Sequence, residues 1–273
     1  MPAMSATEDW TRAAEPARRV GRVVEFHAEI GSTNDRARAA LGEPGGDGLV
    51  VVADLQTAGR GRRGRTWISP AGTNLLVSVA FRPAIAPGLA GLLGIAAALA
   101  VRDACALFAP NAGLAIRWPN DVVTRDGRKV AGLLVETALE GQELVEVVVG
   151  MGINVNWLVS EMPSEIRERA TSLVELTGGP VDRVELLRWL LDALGAEVTA
   201  LEHGNTPLVR LRTTFWLEGR QVEVDTGTGT IGGRAEGIAD DGSLLLGTAH
   251  GRVALSVGEV VRVHELAPAT VRE

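Results

Sequence analysis

Residues 49–67 read LVVVADLQTAGRGRRGRTW. The first seven form a dense β-branched run, the pattern of a strand buried on both faces. The last nine, GRGRRGRTW, hold four arginines and three glycines and no acid. A positive loop directly after a buried strand lies where an α/β sheet tends to bind its ligands. Glycines at 59, 61 and 64 let the backbone fold tightly or approach something closely. A solvated charge run needs no glycines. A nucleic-acid RG segment repeats, with aromatics, in a basic chain; here it occurs once. The physical reading is an anion cradle, with guanidiniums and amide N–H groups converging on phosphate or carboxylate. The loop does fit G-x-G-x-x-G. However, TWISPAG is a poor helix opening, so the dinucleotide-binding context fails, and no G-x-x-x-x-G-K-[ST] occurs.

Working outward, Val23–Glu29 and Thr73–Phe81 read as strands. Ser32 begins a turn into the short helix DRARAAL. The helix expected to extend through about Phe108 begins in Pro83–Val101, a stretch long and uncharged enough to approach a membrane span. Its two early prolines, its Ala and Gly content and the abutting Arg102 and Asp103 make a buried core helix the better reading. Ala115–Trp118, Lys129–Thr137 and Glu143–Gly150 are strand-like, with RDG turning between the first two. Residues 182–198, DRVELLRWLLDALGAEV, form a helix. Asp182 and Glu185 stand in capping-box spacing, and Leu187, Leu190, Leu191 and Leu194 mark one buried face. Thr206–Leu217 reads as a shorter helix. After Gly219 the chain breaks into short alternating runs separated by Gly, Asp-Gly and His-Gly, the signature of small β-hairpins. The expected division is a flexible tail over 1–20, a mixed α/β domain over 21–218 and a small β domain over 219–273.

The 273 residues carry a net charge of −7 and are 46% hydrophobic and 22% charged. That is ordinary globular composition, and the acidic balance speaks against broad nucleic-acid or membrane-surface binding. A single cysteine, Cys105, excludes an internal disulfide and fits a reducing, cytoplasmic setting. Its apolar neighbours make it a small buried residue rather than a nucleophile. The N-terminus has no apolar h-region and is not a signal peptide.

Other polar groups fall at strand ends, and each has a plain structural reading. Ser32, Thr33 and Asn34 offer short donors and acceptors, but taken alone the helix cap is favoured. Gln56 ends a strand and points into a site or onto the surface. Arg117, Trp118, Pro119, Asn120 and Asp121 read as a turn or as a polar cluster. Lys129 opens an apolar strand with Gly132 three residues on. Gly150, Gly152 and Asn154 end another.

In combination these pieces resemble the biotin protein ligase family. The resemblance runs from about Val23 to the C-terminus. It rests on IGSTND (30–35), QTAGRGRRGRTW (56–67), RWPNDV (117–122), KVAGLLVE (129–136), GMGINVN (150–156), ATSL (170–173) and the β tail ending GEVVRV. It implies an α/β catalytic domain, a mixed sheet flanked by helices, with a small C-terminal SH3-like β-barrel. It also implies an ATP-dependent ligase. Biotin and ATP, with Mg2+, give biotinyl-5′-adenylate, and a lysine of a biotin carboxyl carrier domain, as in acetyl-CoA carboxylase, then takes the biotin. No covalent enzyme intermediate and no protein metal site are implied.

Carried over by position, the resemblance places biotin against Ser32, Thr33, Asn34, Gln56, Gly59, Arg60, Gly132, Leu134 and Gly150. ATP or the adenylate would meet Arg62, Arg65, Trp67, Asn120, Asp121, Lys129 and Asn154. Lys129, Arg62 and Arg65 carry the catalytic roles. Many family members have lysine where Arg117 stands, so no role is assigned to that position. Fewer than about 30 residues precede IGSTND, too few for a helix-turn-helix domain, so direct DNA binding is not expected. The alternatives are a lipoate–protein ligase or octanoyltransferase, which should lack the arginine loop, a pocket-bearing binding protein without turnover, and an RNA-binding module. No feature of the sequence selects a monomer or a dimer.

Overall fold

A computed structural model describes residues 8–141 and 143–264. Twelve strands run β1 Val24–Ile30, β2 Val50–Gln56, β3 Leu75–Phe81, β4 Ala115–Arg117, β5 Asp121–Val123, β6 Lys129–Glu140, β7 Glu143–Ile153, β8 Gln221–Asp225, β9 Thr230–Ile238, β10 Leu244–Thr248, β11 Gly251–Leu255 and β12 Glu259–His264. Six helices run α1 Thr33–Ala40, α2 Leu93–Phe108, α3 Ser164–Arg167, α4 Leu173–Thr177, α5 Arg183–Glu202 and α6 Leu208–Thr214. The first seven strands form one mixed sheet, ordered β1-β2-β3-β7-β6-β5-β4. Only β1 and β2 pair in parallel. The remaining five form an antiparallel sheet, ordered β11-β10-β9-β8-β12.

The β-branched run 49–55 becomes β2 because both of its faces are covered. Val50 and Val52 join the main core with α2 and α5, while Val51 packs with Ala37 of α1 and with Leu41 just after it. The large sheet is therefore sandwiched between α1 and the α2–α5 pair, which is why its strands are apolar without alternation. The apolar stretch ending at Phe108 is packed into that core, with Leu99 and Cys105 essentially unexposed. Burial pushes the Cys105 thiol up to about 12, so it is inert as a nucleophile. Asp182 caps α5 by accepting from the backbone N–H of Val184 and Glu185. The reciprocal half of the capping box does not form, because Glu185 is turned outward to Arg188. Leu187, Leu190, Leu191 and Leu194 lie in the core as their spacing requires. Truncating Leu187 to Ala should cost about 2–5 kcal/mol.

The structure departs from the sequence reading at two places. Residues 8–20 are packed, not a flexible tail; residues 1–7 lie outside the described residues. Trp10, Ala13 and Val20 are buried, and Trp10 stacks on Phe26 at 5.9 Å between ring centroids. Arg183, 4% exposed, ties this segment down through Glu8 and reaches Asp54 at 2.9 Å. Low local hydrophobicity hid these contacts, which are made by a few large side chains and by ion pairs. The second departure is β5, a three-residue run that begins at the end of RWPNDV and is too short to show a periodicity.

Candidate active site

Strand alternation builds the floor of the site. Ala131, Leu133 and Met151 point into the core beneath α2 and α5. Their neighbours Gly132, Leu134, Gly150 and Gly152 therefore face the α1 side. In register, Gly132 lies beside Gly152, and Gly150 lies between Leu134 and Ser78. Three glycines together leave a trough across β6 and β7. Its space is already claimed. A Cβ on Gly152 would collide with the Trp67 ring, and one on Gly150 with Asn34 Oδ1. One on Gly132 would stand 2.5 Å from Lys129 Nζ.

A cavity of about 730 Å³ opens above this floor, within the range of small-molecule and cofactor sites. Every residue named above as a site candidate lines it, Gly59 excepted. Gly59 sits at the base of the arginine loop, where its carbonyl accepts from Trp67 N–H. A Cβ there would meet the Trp67 carbonyl at 2.8 Å. Its glycine serves loop closure.

One end of the cavity is polar, and the Arg60 charge beside it is paired with Asp35. Ser32 occupies the N-cap position of α1 with extended backbone, yet its side chain makes no capping bond. The helix-cap reading thus fails, and a buried hydroxyl, 5% exposed, is left to the cavity. Thr33 N–H donates to Gln56 Oε1 at 2.9 Å, which turns the end of β2 inward.

The other end is cationic. Lys129, first residue of β6, places Nζ 2.7 Å from Asp121 Oδ1 and 5.3 Å from the centre of the Trp67 ring. Arg117 holds the second Asp121 oxygen at 2.8 Å. Burial pushes the Asp121 carboxyl up, but the charges of Lys129 and Arg117 outweigh it, and its pKa falls below the ordinary 3.8. Arg117, to which the sequence assigned nothing, is therefore part of the charge arrangement.

The arginine loop is a short hairpin, with Arg60 bridged to Thr66. Three of its cations are tied to carboxylates from three elements. Arg60 forks onto Asp35 at 2.6 and 2.7 Å, Arg63 reaches Asp225 at the end of β8, and Arg65 pairs with Glu259 of β12. Arg62 has no carboxylate within ion-pair distance among the described residues. Desolvation lowers its pKa, so it is a partly buried cation facing the cavity without a counter-ion. Two asparagines are committed to backbone. Asn120 donates to the Leu133 carbonyl, and Asn154 to Thr171 at 3.0 Å and, more weakly, Lys129 at 3.4 Å. Both brace the strand that carries Lys129. Sequence reasoning missed Ser78, Glu136, Asp225 and Glu259, which act only through tertiary contact. Gly152 was read only as a strand end, although it follows Gly150 at strand spacing.

This fold and cavity define an α/β domain that joins a polar pocket to a cationic one, with a β appendage clamping the arginine loop between them. Comparison with known proteins places it. Residues 30–154 match the biotin/lipoate A/B protein ligase family, and residues 219–263 match the biotin protein ligase C-terminal domain. A biotin–[acetyl-CoA-carboxylase] ligase of Mycobacterium tuberculosis is 37% identical, over 89% of this chain and 90% of that one. A counterpart from Paracoccus denitrificans is also 37% identical, over 85% and 98%. The solved biotin protein ligase from Aquifex aeolicus, in complex with biotin and ATP, superposes with a TM-score of 0.73 at 30% identity, covering 87% of this chain and 97% of that one. The chain belongs to the biotin protein ligase family.

Proposed function

We propose that the protein activates biotin with Mg-ATP to biotinyl-5′-adenylate and pyrophosphate, then transfers biotin to one lysine of a biotin carboxyl carrier domain. The observation that carries this reading is the cavity's division. Ser32, Thr33 and Gln56 offer uncharged hydrogen-bonding partners at one end, while Lys129, Arg62 and Arg65 offer charge at the other. Biotin has this distribution, with a neutral cyclic urea at one end and a carboxylate at the other. Leu134 and Val77, which also line the cavity, suit the apolar length between them.

In the first step a biotin carboxylate oxygen attacks the α-phosphorus of ATP, and the bond to the β-phosphate bridging oxygen breaks. Two anions must meet, so the barrier is largely electrostatic. Lys129 supplies a point charge to the carboxylate and α-phosphate oxygens. Arg62, lacking a counter-ion of its own, is free to take one from the ligand. Magnesium would enter as the ion of ATP and shield its phosphates.

In the second step the carrier amine attacks the carboxyl carbon, and AMP leaves as the amide forms. Asp121, with its lowered pKa, acts as a fixed anion that orients Lys129 and attracts the incoming amine. Trp67, roofing the glycine trough, excludes water from a hydrolysable anhydride. The SH3-like reading of the C-terminal sheet, a cytoplasmic location and a biotin carboxyl carrier domain as acceptor belong to this proposal. A lipoyl ligase is less well supported, because a dithiolane would leave the polar end of the cavity unpartnered. Incubating the protein with biotin, Mg-ATP and a purified carrier domain tests transfer. One biotin on one carrier lysine, by mass, is expected; an unmodified carrier would refute the transfer step.

A further inference from the structure

Behind the polar end of the cavity runs a chain of short hydrogen bonds. Glu136 Oε2 accepts from Asn34 Nδ2 at 2.6 Å. Asn34 Oδ1 accepts from Ser78 Oγ at 2.6 Å. Ser78 Oγ lies 2.7 Å from Thr33 Oγ1, which lies 3.1 Å from Gln56 Oε1. Ser78 is fully buried and does not line the cavity. It sits opposite Gly150 in register, and the absence of a side chain at Gly150 is what admits the Asn34 amide beside it.

We infer that Glu136 and Ser78 are positioning residues that set the direction of each proton in this chain. Thr33 and Gln56 then present one acceptor beside one donor to the cavity, the complement of an –NH–CO– edge such as that of a cyclic urea. This rests on the reading of the site as a biotin pocket.

The directions follow from what each group can do. Glu136 is a carboxylate beside Arg38, at 3.0 Å, and Arg60, at 3.8 Å, so it accepts and does not donate. Asn34 must turn its Nδ2 to Glu136 and its Oδ1 to Ser78; this assignment comes from the network. Ser78 has one proton, and Oδ1 takes it. Thr33 must then give its own proton to Ser78 or Gln56, which leaves an Oγ1 lone pair for the cavity. Separately, the Thr33 backbone N–H can only donate. It fixes the Gln56 amide with Oε1 inward, leaving Nε2 as the free donor. Hydrogen bonds in series polarise one another, so the Glu136 charge strengthens Thr33 as an acceptor. A dithiolane or methyl terminus matches neither group and strands both, which is how a hydrogen-bonding pocket rejects an apolar analogue.

Glu136→Gln tests the assignment, because a carboxamide can donate and lets Asn34 turn over. Ser78 then donates to Thr33 and occupies its lone pair. Acid-dependent ATP–pyrophosphate exchange and calorimetric biotin binding are measured for wild type, Glu136→Gln, Ser78→Ala, the double variant and Arg38→Gln, with melting curves to confirm folding. Glu136→Gln and Ser78→Ala should each raise the KM and Kd for biotin about tenfold, with kcat within about twofold. Because they act in series, the double variant should fall within about twofold of Ser78→Ala alone. Arg38→Gln, which removes a charge beside Glu136 but leaves its proton order, should stay within about twofold of wild type.

Three results would overturn the inference alone: an unchanged biotin KM in folded Glu136→Gln, a double variant whose losses multiply, or an Arg38→Gln effect equal to that of Glu136→Gln. Wild-type protein that neither binds nor activates biotin would remove the pocket reading and the inference together.

Discussion

Lys129 Nζ and Asp121 Oδ1 stand 2.7 Å apart at the cationic end of the cavity, with the second Asp121 oxygen held by Arg117. The pair aims the Lys129 ammonium without filling its remaining donor positions. Lys129→Ala should therefore lower biotin-dependent pyrophosphate exchange by at least about 10²–10³-fold, the scale of one lost oxyanion donor. The melting curve should show a folded protein. Near-normal exchange would remove Lys129 from the chemistry.

Arg62 alone in its loop lacks a carboxylate partner among the described residues and lines the cavity. Its favourable contact is then one that only an anionic ligand completes. Arg62→Gly should release biotinyl-adenylate faster, so that lysines of bystander proteins become biotinylated. Labelling confined to the carrier would show that retention lies elsewhere.

Arg63 adopts φ +56°, a left-handed conformation uncommon outside glycine. Its guanidinium is held at 2.5 Å from Asp225 and 2.8 Å from the Asp225 carbonyl. Removing that tether by Asp225→Ala should free the loop for cleavage. Trypsin should cut after Arg62, Arg63 or Arg65 several-fold faster than in wild type, while the rest of the chain stays protected. Unchanged cleavage would mean that the β12 contact through Glu259 holds the loop by itself.

The Asp121 carboxyl gives a signed pH dependence. Its native pKa lies below the ordinary 3.8, so its contribution to stability is complete above that value. It is lost as pH falls through the native pKa. The gap in melting temperature between wild type and Asp121→Asn should be widest near neutrality and shrink on acidification below about pH 4. A gap that grows toward acid would contradict the sign.

Gly152 has no side chain where the Trp67 ring lies. Gly152→Ala should push the indole off the trough, at a cost of about 1–3 kcal/mol in stability for overpacking. Tryptophan fluorescence should shift and exchange activity should fall. A variant with native emission and activity would show that Trp67 has room to give.

How much of this could be read from the sequence follows from how local each signal is. The strand at 50–56 and the helix at 183–202 are written in runs and spacings that need no partner to interpret. The arginine loop announced an anion site because four cations and three glycines are dense over nine residues. Glu136, Ser78 and Glu259 announced nothing. A single glutamate or serine on a strand takes its meaning from a side chain about 40 to 200 residues away. Trp10 and Val20 were hidden likewise, within a segment whose average composition looks loose. Asn120 and Asn154 line the cavity as their motifs suggested, but their Nδ2 groups also donate to carbonyls that brace the strand of Lys129, a contact the motifs did not announce.

The most direct measurement of the central claim is ATP–pyrophosphate exchange on the purified protein with biotin, lipoate and octanoate in parallel. Exchange that depends on biotin and not on the other two acids is expected. Exchange driven by lipoate, or none with any acid in a folded, magnesium-supplied sample, would contradict the account.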